Sequence, residues 1–376
     1  MTTTARTQPG LEVSGDPVLT PLQRMVRETP SDFWNDSCAA SELEYAIANG
    51  ATGATSNPSI VLEVLRKEPD HWLPRVAELV LSHPTWTEVD VTWALLDEMA
   101  VRGAGLLLPV SRATGGRLGR ISAQTDPSAY RDSARMLAQA IHFDSLAPNM
   151  QVKFPTTAAG LVAMEEATAR GIAVNATVCC SVPQALAVAE ALERGLDRRS
   201  ADGHDISTIA PVVTIMVGRL DDWLRVVVER DGLAVHPDAL NWAGIAVFKR
   251  ACAIFTERGY RGRPLAAAYR HRLHWTELIG GDIVMTMTHS WQVRFNESGL
   301  DPEPRFAEPV DAAIIAELLA WLPDFRRAYE PDGMAIDEFD GFGPTVRTLR
   351  QFIGSYHDLQ AAVRDVMLPD PDLRQR

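Results

Sequence analysis

Only three of the 36 basic residues are lysines, Lys67, Lys153 and Lys249; the rest are arginines. Chemistry that needs a neutral amine therefore has three places to happen. An ordinary lysine with a pKa near 10.4 is neutral in about one molecule in 2500 at pH 7, and burial among apolar groups is what lowers that pKa and makes the amine a nucleophile. Lys153 stands in Met150-Gln151-Val152-Lys153-Phe154-Pro155, an apolar strand pattern closed by proline. Inside a barrel its amine is desolvated. On an edge strand the same residue keeps its amine in water, and position alone leaves both open. Lys67, in Arg66-Lys67-Glu68, reads as a solvated helix residue, and Lys249, after Ile245-Ala246-Val247-Phe248, as a snorkelling one on an outer helix.

Other polar residues close apolar runs in the same way: Asp36, Asn57, Gln124, Asn175 with Thr177, Thr214 and Arg270. The C-terminal ends of barrel strands point into the mouth where active sites form. The runs themselves are Asp32 to Asp36, Ala51 to Thr55, Arg120 to Ala123, Met150 to Phe154, Ala173 to Val178, Val212 to Val217, Pro264 to Tyr269 and Ile283 to Thr286. Between them lie helical patterns such as Thr157 to Arg170, Pro183 to Gly195, Asp221 to Arg230 and Asn241 to Arg258. Eight such alternations predict an α/β fold, a (β/α)8 TIM barrel, over a doubly wound sheet. Ile60 to Gly119 is too long for one crossover and reads as a helical insertion at about 60–119. After Thr288 the pattern turns helical, with Pro309 to Tyr329 and Thr345 to Leu368 forming an extension over about 300–376. Residues 1–30 are expected to be a mobile leading segment and 31–376 a single domain, without internal repeats.

A chain of 376 residues, 46% hydrophobic and 23% charged, with no apolar run of membrane-spanning length, is expected to be globular and not membrane-bound. Its net charge of -13 repels nucleic acid phosphates and anionic lipid, so neither is an expected partner. Cys38, Cys179, Cys180 and Cys252 show neither CxxC nor Cys/His spacing, and the nine histidines no ligand spacing. Cys179 and Cys180 read as packing residues. The N-terminus, MTTTARTQPG, has no charged region leading into an apolar one, and the expected compartment is the cytoplasm.

The ordered motifs resemble those of the transaldolase family. Ala54-Thr55-Ser56-Asn57-Pro58-Ser59 is similar to its T-[ST]-N-P-[ST] signature, and Val152-Lys153-Phe154-Pro155-Thr156-Thr157 to its lysine motif. Further matches are Gly171 to Ser181, Val217 to Asp221 (VGRLD), Leu265 to Arg270 (LAAAYR) and Asp337 to Phe352, so the likeness runs from Asp32 to Val366. It implies a barrel enzyme that needs no cofactor and no metal. Its lysine, here Lys153, forms a Schiff base with a ketose phosphate, and a dihydroxyacetone unit is transferred to an aldehyde acceptor. By position, Asp36 and Asn57 match the groups that hold and deprotonate substrate hydroxyls, Asn175 a further hydroxyl-binding amide, and Thr177 the residue that positions the catalytic water. Arg219 and Arg270 match the pair that binds the sugar phosphate, a task suited to the planar guanidinium fork.

Plainer uses exist for several of these residues. Asn57 before proline is a common turn residue, and Asp36, or equally Ser37, a helix cap. The family's catalytic glutamate is here Gln124, as in the fructose-6-phosphate aldolase subgroup; an amide orients water but accepts no proton at neutral pH. Thr214 replaces a serine that precedes the VGR motif, and Met216 an aromatic residue. These departures leave open a cofactor-free aldolase of a specialised pathway, or a catalytically reduced binding protein of the same fold. The oligomeric state is open.

Overall fold

The computed structural model describes residues 19–372. Eight parallel strands close into one barrel in chain order: β1 (Asp32–Asn35), β2 (Gly53–Thr55), β3 (Arg120–Gln124), β4 (Met150–Pro155), β5 (Val174–Cys179), β6 (Val212–Ile215), β7 (Arg263–Ala266) and β8 (Val284–Met287). β8 returns to β1 through Asp32↔Val284 to Asn35↔Met287, so no strand is left with an open edge. Helices cover the outside, which leaves the strands buried, apart from the half-buried Arg263 that starts β7, and explains why most read as continuous apolar runs. The expected (β/α)8 barrel is the fold observed. Burial pushes the thiols of all four cysteines up.

β1 ends one residue earlier than the sequence pattern suggested, at Asn35, and two strands end earlier still. β6 stops at Ile215 rather than Val217, because Val217-Gly218-Arg219 is already the first turn of the helix Val217–Asp231. β7 stops at Ala266 rather than Tyr269, and Ala268 turns the chain away with a φ of 66°. The two corrections share a cause: a Cβ on Gly218 would lie 1.9 Å from the Ala268 carbonyl oxygen and 2.8 Å from Arg270 Cγ. The helix start and the segment after β7 are pressed together at a contact only glycine permits. Gly218→Ala is therefore expected to destabilise the fold by about 1–3 kcal/mol, read as a lowered midpoint in urea unfolding.

The leading segment expected at 1–30 also needs correction over its described part. Pro21–Glu28 is a helix, started by a capping box between Thr20 and Gln23 and anchored by the fully buried Leu22 and Met25. Residues 1–18 lie outside the described residues. The insertion between β2 and β3 consists of the helices Pro58–Lys67, Pro69–Ser82 and Glu88–Ala113. The long one buries Val91, Leu95, Met99, Gly103 and Leu107 at four-residue spacing, a stripe that packs it along the barrel wall beside β3. In the C-terminal extension the expected run Pro309 to Tyr329 is two helices, Ala312–Trp321 and Pro323–Tyr329, broken where Pro323 offers no backbone donor.

The last helix, Gly343–Met367, crosses the C-terminal rim of the barrel. Its Thr345 accepts a hydrogen bond from Gln184 after β5, Gln351 meets Arg219 after β6, and Ser355 meets Ser59 after β2. Among the described residues no helix is long and apolar enough to cross a membrane.

Candidate active site

Lys153 lies on β4 with Gln124 of β3 and Asn175 of β5 as its register partners. Its side chain is buried, and its Nζ finds one protein acceptor among the described residues, the Ser56 carbonyl at 3.5 Å. Burial, the largest influence, lowers its pKa from the ordinary lysine value; Asp36 opposes this and Arg219 adds to it. Position alone had left this amine either inside a barrel or in water, and the closed barrel places it inside. Lys67 instead meets Glu42 at 3.0 Å on the surface, and Lys249 reaches the carbonyls of Arg305 and Glu308 outside the barrel.

Around the lysine the barrel interior is layered, as side-chain alternation along strands requires. Beside it, a polar chain crosses the barrel. Ser122 Oγ donates to Gln151 Oε1 at 2.7 Å, Asn175 Nδ2 donates to Ser122 Oγ at 3.0 Å, and Thr214 Oγ1 donates to Asn175 Oδ1 at 2.6 Å. Asn175 and Thr214 are thus both held by neighbours, and one Nδ2 hydrogen of Asn175 is what that amide still offers. Thr177, the register partner of Pro155, has its Oγ1 facing the Met216 sulfur at 3.8 Å. Gln124 is buried beside the lysine, and its Oε1 has no partner among the described residues. An orphaned acceptor beside a buried amine is a place where a water molecule restores a lost hydrogen bond.

Asp36 stands just past the end of β1, where Thr55 Oγ1 donates to its Oδ1 at 2.6 Å. That hydroxyl has one proton, so Thr286, 2.8 Å away, donates to Thr55 in turn. Asp36 is thereby oriented with no ion pair of its own among the described residues, and it is no helix cap: the helix that follows is capped at Ala39. Asn57 has a structural use, but as a helix cap rather than the turn residue its place before proline suggests. Its Oδ1 caps the helix Pro58–Lys67 through Ile60 N–H at 3.0 Å. Its Nδ2 has no hydrogen-bond partner among the described residues.

Arg219 occupies the first turn of the helix Val217–Asp231, where unpaired backbone donors add to its positive charge. Its Nη1 donates to Gln351 Oε1 at 2.5 Å, while its Nε is buried without a partner among the described residues. Arg270 is more occupied. Asp222 takes its Nε at 2.9 Å and its Nη2 at 2.8 Å, and Nη1 donates to the carbonyls of Ala268 and Tyr269. The two cations are close enough that Arg270, after burial, is the next influence lowering the Arg219 pKa.

Sequence reasoning missed Ser56, Thr55, Thr286, Asp222 and Gln351, which orient the named groups. It also missed Asp221, His271 and His274, which converge behind Arg270 with His271 Nε2 and His274 Nε2 at 3.3 and 2.9 Å from Asp221 Oδ2. This set could suit a metal ion, but its hydrogen bonds do not fit one. His274 Nδ1 accepts the Arg270 amide hydrogen at 3.1 Å, so Nε2 must carry the ring proton and is not free to ligate.

The sequence profile described as Transaldolase/Fructose-6-phosphate aldolase matches residues 33–330. A Transaldolase of Mycobacterium ulcerans is 31% identical over 281 residues, covering 68% of this chain and 74% of the relative. Transaldolases of Thermobifida fusca, 32% identical over 216 residues (54% and 56% of the two chains), and of Mycobacterium tuberculosis, 29% over 281 residues (68% and 74%), are also similar.

Proposed function

Because the chain belongs to the transaldolase/fructose-6-phosphate aldolase family, we propose that it transfers a dihydroxyacetone unit from a ketose phosphate to an aldehyde through a Schiff base on Lys153. The observation that carries this reading is the buried, depressed amine of Lys153 at the barrel mouth, with a carboxylate and two arginines grouped nearby. The neutral amine attacks the ketose carbonyl, and loss of water leaves an imine whose protonated form draws electrons from the C3–C4 bond. Asp36 takes the proton of the C4 hydroxyl as that bond breaks, an aldehyde leaves, and the electron pair rests in an enamine on Lys153. The enamine then attacks the acceptor aldehyde, and water hydrolyses the new imine.

Asn57 Nδ2 and the remaining hydrogen of Asn175 Nδ2 hold substrate hydroxyls, while Thr177 and Gln124 orient the water. Arg219 and Arg270 take the phosphate, and a cytoplasmic site of action accords with such a substrate. Incubation with fructose 6-phosphate and borohydride, followed by peptide mass spectrometry, tests the reading: the expected mass addition lies on Lys153, and its absence removes the proposal.

One observation favours a second reading, a cofactor-free aldolase that releases dihydroxyacetone. Gln124 puts an amide where a proton acceptor would hasten the return of proton traffic through water. The two readings separate by whether the enamine partitions to added aldehyde or to protonation.

The phosphate role of the arginines has its own check. Charge-assisted hydrogen bonds contribute about 1.5–3 kcal/mol, so Arg219→Ala is expected to raise KM for fructose 6-phosphate about 10- to 100-fold. The effect on fructose should be much smaller. Arg270→Ala is expected to do the same and also to lower the melting temperature, since it leaves Asp222 without its cation. Equal losses with both sugars would make either arginine structural.

A further inference from the structure

The Asp221, His271 and His274 cluster has no part in the chemistry described above, yet Asp221 and His274 are fully buried, with His271 half-buried beside them, next to the Arg270 main chain. Burying an imidazole against a carboxylate is costly unless their hydrogen bonds are complete. Here nearly all are. Asp221 Oδ1 accepts from Gly244 N–H at 2.9 Å, and Oδ2 from His274 Nε2–H at 2.9 Å. His274 Nδ1 accepts from the Arg270 backbone N–H at 3.1 Å. His271 lies against His274 with ring centroids 3.9 Å apart, its Nε2 toward the same carboxylate oxygen.

Asp221 and Asp222 are successive residues on the helix whose first turn carries Arg219. Asp222 grips the Arg270 guanidinium directly, and Asp221 reaches the Arg270 main chain through His274. The segment so held is the one that turns at Ala268 with positive φ, away from regular strand geometry. We propose that His274, held by Asp221, is a positioning residue that fixes the main chain of Arg270 and so sets the geometry of the phosphate pair. This rests on the proposed function and adds to it the device that keeps two mutually repelling guanidinium groups in register. Burial, the largest influence on His274, holds its pKa below the ordinary histidine value against the pull of Asp221. The ring therefore stays neutral at pH 7, the state in which Nδ1 can accept.

Two substitutions separate the two ends of the ring. His274→Asn keeps an acceptor near the Nδ1 position and loses contact with Asp221; His274→Gln keeps a donor near the Nε2 position and leaves the Arg270 N–H unpaired. His274→Gln is expected to raise KM for fructose 6-phosphate about tenfold, with a much smaller change in kcat and in KM for fructose. His274→Asn is expected to raise it less. Because buried substitutions also affect the fold, melting temperatures are measured for both, and the expected order in KM should hold whichever variant melts lower. Equal shifts for both sugars, or effects on KM that only follow melting temperature, overturn the proposal.

Binding of inorganic phosphate by calorimetry makes the test independent of turnover. A weaker phosphate affinity in His274→Gln than in His274→Asn supports the positioning role even if wild-type protein forms no adduct on Lys153. Unchanged affinity in both variants overturns it even if the adduct forms.

Discussion

Lys153→Arg is expected to abolish borohydride-trapped adduct and transfer activity together, while the barrel stays folded. The guanidinium retains a positive charge and a similar length but offers no neutral amine at any ordinary pH, so the nucleophile is removed without removing the charge. An adduct on Lys67 or Lys249 in that variant would overturn the mechanism, and so would undiminished turnover. The depressed pKa has a second measurable consequence. A group whose pKa is lower folded than unfolded binds fewer protons when folded, so its contribution to stability rises with pH. For Lys153 the penalty is fully present below the lowered folded value and is relieved as pH climbs towards the unfolded value of about 10.4. Lys153→Met, which leaves an apolar chain of similar length, is expected to melt above wild type at pH 7. That advantage should shrink in alkaline buffer, and a constant difference across pH would show that the buried amine is not the cause.

What the sequence disclosed depended on whether the relevant signal was local. The strands were legible because a strand buried on both faces is a short apolar run, and Lys153 was conspicuous because it interrupts one. Asp36, Asn57, Gln124 and Thr177 followed from their places at strand ends. The helix Pro21–Glu28 was missed although Thr20 and Gln23 carry the spacing of a capping box, because only Leu22 and Met25 mark its inner face. The engagement of Asn175 by Ser122 and Thr214 depends on the register of three strands. Gln351 and Arg219 lie 132 residues apart and meet only because the last helix crosses the rim. Asp221 and His274, 53 apart, meet because Gly218 lets the helix start approach the segment after β7. No periodicity or motif encodes such meetings.

Gln124→Glu is expected to raise the rate of Schiff-base formation and transfer and to add an ionisation to the pH profile of kcat/KM. The wild-type amide leaves its buried Oε1 without a partner among the described residues beside Lys153, and an amide oxygen can accept a hydrogen bond from water but cannot take its proton. A carboxylate at the same place can accept and return that proton as carbinolamine becomes imine, and a positioned general base contributes about 10²- to 10⁴-fold in rate. Two effects compete. Burial disfavours the charged carboxylate and raises its pKa, while a protonated Lys153 beside it favours it. The carboxylate would in turn raise the Lys153 pKa and reduce the neutral amine at pH 7. The gain should therefore be smallest in acid, where the new carboxylate is protonated, and grow as it ionises. Thr177 remains to hold the water, although its hydroxyl faces the Met216 sulfur at 3.8 Å rather than an aromatic hydroxyl. Adduct formation and transfer measured from acid to alkaline pH decide the matter. A lower rate with no added ionisation would mean that Gln124 belongs to a site built to work without a carboxylate there, and the proton would then have to travel through Asp36.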